Sequence, residues 1–249
     1  LNSFTGDNLD ICFEDITQGW LLNYESWLRA KGNKETTISI QFRTLRSVYN
    51  KAIKRKCVGK EYYPFEDFHI NKFNVHTDKR AISKNDVLKI ISADLTGKSE
   101  YVKFSRDIFV FSYLCGGINF CDVASLTKEN ILNGRLSYVR QKTGKQINLC
   151  LTKNASAIID KYYKGGKGFL FPILDITRHI TATQKENRLH KVLGQVDKSL
   201  KIVAQIAKVD VNLTTYVARH SYATVLKRSG VPTSIICESL GHSSERMTQ

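Results

Sequence analysis

The spacing of apolar residues predicts two amphipathic helices in the first part of the chain. The first covers Phe13 to Arg29, where apolar side chains recur every three or four positions until Lys31-Gly32-Asn33 ends the pattern. The second begins near Thr36 or Thr37, either of which is a suitable N-cap, and runs to about Lys56. Its apolar stripe is predicted to consist of Ile40, Leu45, Val48, Tyr49 and Ile53.

The helical periodicity lapses between Tyr63 and about Lys79, which indicates an extended connector. Ser83 can cap the helix that follows. This connector is the predicted domain boundary. It divides the chain into an N-terminal helical domain, residues 1–77, and a second domain, residues 78–249.

Two tight-turn dipeptides predict a small sheet within the second domain. Asn133-Gly134 and Thr143-Gly144 separate three short β-prone runs, which fit three antiparallel strands. Helical patterns stand on both sides of this segment. The predicted fold class is therefore mainly α: an all-helical N-terminal domain plus a mixed, mostly helical second domain with a small three-stranded antiparallel sheet.

The charge of the chain narrows its possible partners. Among 249 residues, 38 Lys and Arg stand against 23 Asp and Glu, which gives a formal net charge of +15. Such a surplus is typical of proteins that bind polyanions, and nucleic acid is the first candidate. A membrane surface is the competing partner. It is the weaker one, because no apolar run reaches the roughly 18 residues of a spanning helix and the basic residues are spread along the chain.

One face of the second predicted helix is strongly basic. Such a face is most often only a solvated surface, but here its sign agrees with that of the whole chain. The sequence therefore indicates a helix that contacts phosphates. Its cationic residues are Arg43, Arg46, Lys51, Lys54, Arg55 and Lys56.

The six cysteines form neither a C-x-x-C pair nor a zinc-finger pattern with histidine. They stand within apolar segments, so they are predicted to be reduced thiols of the core. Because no secretory signal precedes them, a cytoplasmic location is favoured.

Two motifs near the C-terminal end carry the candidate chemistry. Thr215 to Thr224 reads Thr-Tyr-Val-Ala-Arg-His-Ser-Tyr-Ala-Thr, and Leu240-Gly241-His242 follows after a break at Gly230-Val231-Pro232. In order and spacing they resemble the tyrosine recombinases, the phage-integrase family. In that family an H-x-x-R-H-(S/T)-x-A-T box is followed by an L-G-H box. The matching residues are Arg219, His220, Ser221, Ala223, Thr224, Leu240, Gly241 and His242.

The resemblance covers nearly the whole chain, most specifically from Gly117 onward. The family frame G-(L/M)-R-x-x-(D/E)-(L/I/V)-x-x-L matches Gly117 to Leu126, and the family's hairpin lysine matches Lys142. The resemblance implies that residues 1–77 are a core DNA-binding domain. It also implies that residues 78–249 are a catalytic domain of the DNA breaking-rejoining fold, and that the two domains close around duplex DNA.

Attack of a hydroxyl on a phosphodiester explains why such residues are needed. The pentacoordinate state has extra negative charge on its non-bridging oxygens, which fixed cationic donors stabilise. Arg219 is the primary candidate, because its planar fork donates two hydrogen bonds and stays charged. His242 could donate to the same oxygens, and Lys142 could protonate the leaving 5′ oxygen as a general acid. His220 is expected to assist the phosphate or to orient its neighbour.

The chain departs from the family pattern at two positions. Asn119 stands where the family has its first arginine, and Tyr216 where the box begins with histidine. In a strand, residues two apart share a face, so Arg140 would point the same way as Lys142. We hypothesise that Arg140 supplies the missing positive charge. Some integrases of conjugative transposons also resemble this chain in lacking the first arginine, which favours a subfamily over an inactive enzyme.

The family's spacing places the nucleophilic tyrosine just past Gln249. The residues given are therefore expected to bind DNA but not to form the phosphotyrosine. Tyr222 and Tyr216 are poor replacements, because the first lies on the helix of Arg219 and the second occupies a different motif position.

The resemblance implies a site-specific recombinase, an integrase that cuts and rejoins DNA through a 3′-phosphotyrosine to integrate or excise a mobile element such as a transposon. It needs no metal or cofactor. Double-stranded DNA is the expected partner, with a homotetramer on DNA and an accessory DNA-bending protein as further family expectations. The expected location is the bacterial cytoplasm, at the nucleoid. Two alternatives stay open: an enzyme like the type IB topoisomerases, and a catalytically silent DNA-binding protein of the same fold, for which Asn119 and Tyr216 argue.

Overall fold

The computed structural model describes residues 1–6, 8, 10–75 and 80–241 of the chain. The chain divides into two compact units, Leu1–Asp78 and Lys79–Gln249. Each unit has a hydrophobic core of its own. The predicted boundary between residues 77 and 78 lies outside the described residues.

The described part of the N-terminal unit contains helices and no strand, as its pattern predicts. Helix α1 covers Gln18–Ala30 and helix α2 covers Glu35–Lys54. The Thr17 hydroxyl caps α1 by accepting a hydrogen bond from the Trp20 backbone N–H at 3.2 Å. Short 3₁₀ helices lie at Phe13–Asp15, Lys60–Tyr62 and Ile70–Lys72.

The buried face of α2 differs from the predicted stripe. Ile40 and Val48 were expected in the core, but they are 60% and 46% exposed. The stripe that is buried follows a three-and-four spacing through Ile38, Phe42, Leu45, Tyr49 and Ala52. The rings of Phe42 and Tyr49 have larger apolar surfaces than Ile40 and Val48. Helix α2 therefore turns the face with the two rings toward the core. The ring of Phe42 packs on those of Tyr24, Phe68 and Phe73 at centroid distances of 5.5, 4.7 and 5.5 Å.

Helices also dominate the second unit, and the long α4 runs through its core. Phe109 and Phe111 of α4 are fully buried, and this helix packs against α6, α7 and α8. No helix in the described ranges is long and apolar enough to cross a membrane. The helices are α3 Lys84–Ile91, α4 Glu100–Leu114, α5 Phe120–Ser125, α6 Lys153–Tyr162, α7 Ala182–Ile206, α8 Thr215–Arg228 and α9 Thr233–Ser239.

A three-stranded antiparallel sheet stands between α5 and α6, which confirms the predicted fold class. Its strands are β1 Ile131–Leu132, β2 Arg135–Val139 and β3 Gln146–Cys150, in the order β1-β2-β3. Asn133 and Gly134 form the first turn with φ of 50° and 71°, as the Asn-Gly dipeptide predicts. Leu136 and Ile147 turn inward from neighbouring strands to the core.

The cysteines do not all belong to the core. Cys115 and Cys237 are buried, but Cys12, Cys57 and Cys150 are exposed. The prediction of core thiols is therefore wrong for these three. Cys150 illustrates the reason: side chains alternate along β3, so the strand that buries Ile147 turns Cys150 outward.

Candidate active site

Helix α8 carries Arg219 into the interior of the second unit. The Thr215 backbone N–H at its start donates to Asp197 Oδ1 of α7 at 2.8 Å, which fixes where α8 begins. The Ser221 hydroxyl donates to Val217 O at 2.7 Å and accepts from the Ile82 N–H at 3.0 Å. These bonds and the packing of α8 on α4 hold Arg219 where only 6% of it is exposed.

The guanidinium of Arg219 joins two segments that are distant in sequence. Its Nη1 donates to the Gly117 carbonyl at 2.8 Å, and its Nη2 donates to the Leu240 carbonyl. A Cβ on Gly117 would lie 2.8 Å from the Arg219 Cα, and Gly117 has a φ of +68°. Only glycine therefore allows the turn before α5 to pack this closely on α8.

Arg140 occupies a comparable position and is 5% exposed. Its Nη1 donates to the Gly241 carbonyl at 2.7 Å, and the Thr143 hydroxyl donates to the same oxygen at 3.3 Å. The Arg140 Nε is buried without a hydrogen-bond partner among the described residues. Within the described ranges, one donor of the buried guanidinium thus has no acceptor.

The strand argument that led to Arg140 is wrong. β2 ends at Val139, so neither Arg140 nor Lys142 belongs to a strand. The Arg140 carbonyl instead accepts from the Gly144 N–H at 2.8 Å, and its N–H donates to the Lys145 carbonyl at 2.8 Å, which closes a turn. Arg140 is buried and Lys142 is exposed, because the strand alternation no longer applies inside this turn.

The two buried arginines interact electrostatically. Burial and, to a smaller extent, the positive charge of Arg140 lower the pKa of Arg219 to about 10. Arg219 nevertheless stays protonated near neutral pH. The hydrogen-bond acceptors that hold the two guanidinium groups are neutral carbonyls. The site therefore keeps a surplus of positive charge that suits an anion.

Asp122 is the acidic group beside this pair, and the sequence analysis did not assign it a role. Its Oδ1 accepts from the Gln141 backbone N–H at 3.0 Å, while Oδ2 has no partner among the described residues. Burial raises the pKa of Asp122, although Gln141, Arg140 and Arg219 oppose this shift. The Gln141 side chain also donates to the Ser125 hydroxyl at 2.7 Å, so α5 anchors the turn that carries Lys142. The sequence did contain a signal for Asp122, because the family frame that matches Gly117 to Leu126 has an acidic residue at this position.

Asn119, Tyr216 and Arg219 line one cavity of about 690 Å³. Asn119 precedes α5 and is half-buried, and its side chain does not cap the helix. Tyr216 is 59% exposed, and its ring stands edge-on to that of His220 at 4.4 Å between centroids. Asn119 and Tyr216, the two residues that depart from the family pattern, thus line the same cavity as Arg219. His242 lies outside the described residues.

The predicted phosphate-contacting residues of α2 are all exposed. Within the described ranges, none of them forms an ion pair, whereas Arg29 and Lys72 of the same unit pair with Glu25. Their charges are therefore available to an external anion. These residues are Arg43, Arg46, Lys51 and Lys54 of α2, and Arg55 and Lys56 just past its end.

Comparison with known protein families agrees with this arrangement. The model of the phage integrase SAM-like domain matches residues 1–74, and that of the phage integrase family matches residues 80–249. The chain therefore belongs to the phage integrase family, the tyrosine recombinases. This confirms the predicted family and, with it, the predicted class of function, site-specific DNA recombination.

Individual relatives are distant in sequence. Tyrosine recombinase XerD from Halalkalibacterium halodurans is 23% identical over 246 residues, which cover 94% of this chain and 76% of that protein. A structure of the Tn1549 transposon integrase in complex with a circular intermediate DNA aligns with a TM-score of 0.68 at 18% identity, over 99% of this chain and 84% of that one. A lambda integrase dimer bound to a COC′ core site aligns with a TM-score of 0.69 at 16% identity, over 99% and 83%. At these identities the two structures support the shared fold.

Proposed function

We propose that this chain is the DNA-binding and catalytic core of an integrase that cuts and rejoins double-stranded DNA through a 3′-phosphotyrosine, to integrate or excise a mobile element. The observation that carries the proposal is the pair of buried arginines, Arg140 and Arg219, held on the carbonyls of adjacent residues. Two guanidinium groups fixed on neutral carbonyls stabilise a phosphorane better than mobile surface cations would.

The donors left on the two arginines support this role. A guanidinium has five N–H groups. Arg219 uses two nitrogens on Gly117 and Leu240, and it also lines the cavity next to Asn119. In the proposed mechanism Arg219 donates to the scissile phosphate, the amide of Asn119 contributes an uncharged donor, and Arg140 supplies the second positive charge. His220, Tyr216 and His242 complete the proposed phosphate site.

The nucleophile is proposed to be the tyrosine that the family places after its L-G-H box. A form of the protein that carries this tyrosine is incubated, in EDTA, with a nicked duplex bearing the element's end. A covalent protein–DNA band on a denaturing gel that disappears when this tyrosine becomes Phe is the expected result. Binding without such a band would support the catalytically silent alternative. Relaxation of plasmids without site preference would support the topoisomerase alternative.

Variants of the arginines test their separate roles. Arg219→Ala is expected to slow covalent complex formation by about 100-fold or more, the usual loss for a missing oxyanion donor. Arg140→Ala is expected to slow it at least about tenfold, with partial recovery in Arg140→Lys, if charge is what this position supplies. The matched control is Arg188→Ala, because Arg188 also binds a backbone carbonyl, that of Ile173 at 2.9 Å, but outside the site. Equal rates for Arg140→Ala and the parent would rule out the role of Arg140.

Lys142 is proposed as the general acid, because it is exposed on a turn that Asp122 anchors beside the arginines. A substrate with sulfur in place of the leaving 5′ oxygen tests this role, since a thiolate leaves without a proton. Lys142→Ala should be slow on the ordinary nicked duplex and close to the parent on the sulfur substrate. A variant that is equally slow on both substrates would show that Lys142 does not donate the proton.

The assembly is proposed from the same likeness. A lambda integrase tetramer bound to a Holliday junction is among the structures that share this fold, with a TM-score of 0.69. We therefore propose a homotetramer on DNA, aided by an accessory DNA-bending protein, acting at the bacterial nucleoid. Mass measurement of the complex on paired duplex ends tests the stoichiometry.

A further inference from the structure

The outward face of α2 is more than a row of cations. Side chains at Ile40, Arg43, Ser47, Asn50 and Lys54 are all exposed and repeat every three or four positions along one stripe. With about 100° between successive residues, Ser47 lies opposite the buried stripe of Phe42, Leu45 and Tyr49. Ser47 therefore marks the centre of the surface that α2 presents to solvent.

Two short polar side chains, those of Ser47 and Asn50, stand at this centre. Among the described residues, neither the Ser47 hydroxyl nor the Asn50 amide forms a hydrogen bond, whereas the Thr44 hydroxyl beside them donates to the Ile40 carbonyl at 3.0 Å. Free donors and acceptors on a fixed helix are suited to a ligand with complementary edges.

Cations flank these polar groups on both sides. Around the helix axis, Arg43 and Arg46 lie to one side of Ser47, while Lys51 and Arg55 lie to the other. Arg43, Arg46, Ser47, Asn50, Lys51 and Lys54 together line one shallow depression. Polar groups in the middle with positive charge on both borders match a groove that has base edges on its floor and phosphates on its walls.

The dimensions agree with the major groove. An α-helix with its side chains is about 10–12 Å wide, and the major groove of B-DNA is about 12 Å wide. From Arg43 to Lys54 the stripe extends roughly 16 Å along the axis, enough to face several base pairs. Ile40, exposed on the same stripe, offers an apolar surface of the kind that contacts a thymine methyl group.

We propose that Ser47 and Asn50 read base edges in the major groove, that Asn50 selects an adenine, and that the flanking cations bind the two phosphate walls. The side-chain oxygen of an asparagine can accept a hydrogen bond from the adenine N6–H while its NH2 group donates to N7, so that it pairs with adenine through two hydrogen bonds. This inference rests on the proposed function and deepens it, because it names the residue that determines part of the sequence preference.

Selection from a pool of duplexes with a randomised window tests the inference, using the whole 249-residue chain. The parent should enrich sequences that carry an adenine at one fixed position. Asn50→Ala should lose this enrichment and bind the selected duplex roughly 5- to 100-fold more weakly, with unchanged affinity for unselected duplexes. Asn50→Asp keeps the size of the side chain but cannot donate to N7. It should therefore also lose the enrichment of adenine.

The matched control is Gln41→Ala. It removes an exposed amide from the same helix, but one that lies about two and a half turns from Asn50 and so on the other side of the axis. Gln41→Ala should select the same sequences as the parent. Lys51→Ala should weaken binding to every duplex and lower the slope of log affinity against log salt by about one, because it removes a phosphate contact.

The possible outcomes separate the inference from the proposed function. If Asn50→Ala selected the same sequences as the parent, or lost affinity equally for all duplexes, Asn50 would not read a base. The proposal that the chain binds DNA would be unaffected. Binding by the parent without any preferred base would also overturn the role of Asn50 in reading a base. No binding of the parent to any duplex would instead count against the proposed function on which the inference rests.

Discussion

Arg140 and Arg219 donate hydrogen bonds to the carbonyl oxygens of consecutive residues, Gly241 and Leu240. The turn after α9 thereby holds two cationic side chains beside each other, although one comes from the turn after β2 and the other from α8. Two like charges in a buried site are unfavourable unless an anion joins them. The arrangement therefore suits the binding of a phosphate more than it suits the stability of the free protein.

Gly117 is expected to tolerate no side chain. Gly117→Ala should lower the free energy of unfolding by about 3 kcal/mol or more, because the added methyl meets the Arg219 backbone and the positive φ strains an alanine. Urea denaturation measures the loss. Gly134→Ala is the control: it has a φ of +71° with open space around the added methyl, so it should lose only the conformational part, about 1–2 kcal/mol. Equal losses in the two variants would contradict the close packing of Gly117 on Arg219.

Asp107 is expected to connect α4 with α6. Its buried carboxylate accepts from the Arg106 Nε at 2.9 Å and from the Lys161 Nζ and the Tyr162 hydroxyl at 2.7 Å each. Asp107→Ala should cost about 2–4 kcal/mol in urea denaturation, because it leaves these donors without their acceptor. Glu100→Ala removes the exposed pair with Lys103 on the same helix and should change stability little. A small loss for Asp107→Ala would mean that water replaces the carboxylate.

Asp122 should make stability depend on pH in the acidic range. Its pKa is raised in the folded protein, so the folded state binds the proton more tightly than the unfolded state does. The stabilisation that protonated Asp122 provides is fully present below the unfolded pKa and is lost as the pH rises through the folded pKa. The parent should therefore lose stability relative to Asp122→Asn across this window. Urea denaturation of both proteins at a series of pH values measures the difference, and a constant difference would contradict the shift.

The exposed cations of α2 should carry a large part of any salt-dependent binding to DNA. Replacing Arg43 and Lys54 together by Gln should lower the slope of log affinity against log salt by about two, since each residue neutralises one phosphate. Lys31→Gln is the control, because Lys31 lies over the Trp27 ring at the end of α1, 4.0 Å from its centroid. Titrations of a labelled duplex at several salt concentrations measure the slopes. An unchanged slope in the double variant would show that Arg43 and Lys54 do not contact DNA phosphates.

Much of the candidate site could be predicted from the sequence, although the strand argument that pointed to Arg140 was wrong. The motif around Arg219 named the buried arginine, and the frame from Gly117 to Leu126 contained the glycine that packs on it. Arg140 was chosen through a strand that ends one residue earlier. Its position beside Arg219 comes from a turn closed by backbone hydrogen bonds and from the Gly241 carbonyl, which the local pattern of residues does not encode.

The sequence by itself determined the helical character of both units, the turns of the sheet and the family, because apolar periodicity, Asn-Gly dipeptides and spaced motifs are local properties of a chain. Only the tertiary structure decided which face of α2 is buried, since the large rings of Phe42 and Tyr49 compete with Ile40 and Val48 for the same core. It also decided that Asp122 lies beside the arginines and that Arg140 is buried. These outcomes depend on contacts between residues far apart in sequence, where packing and desolvation, rather than local preference, set the free energy.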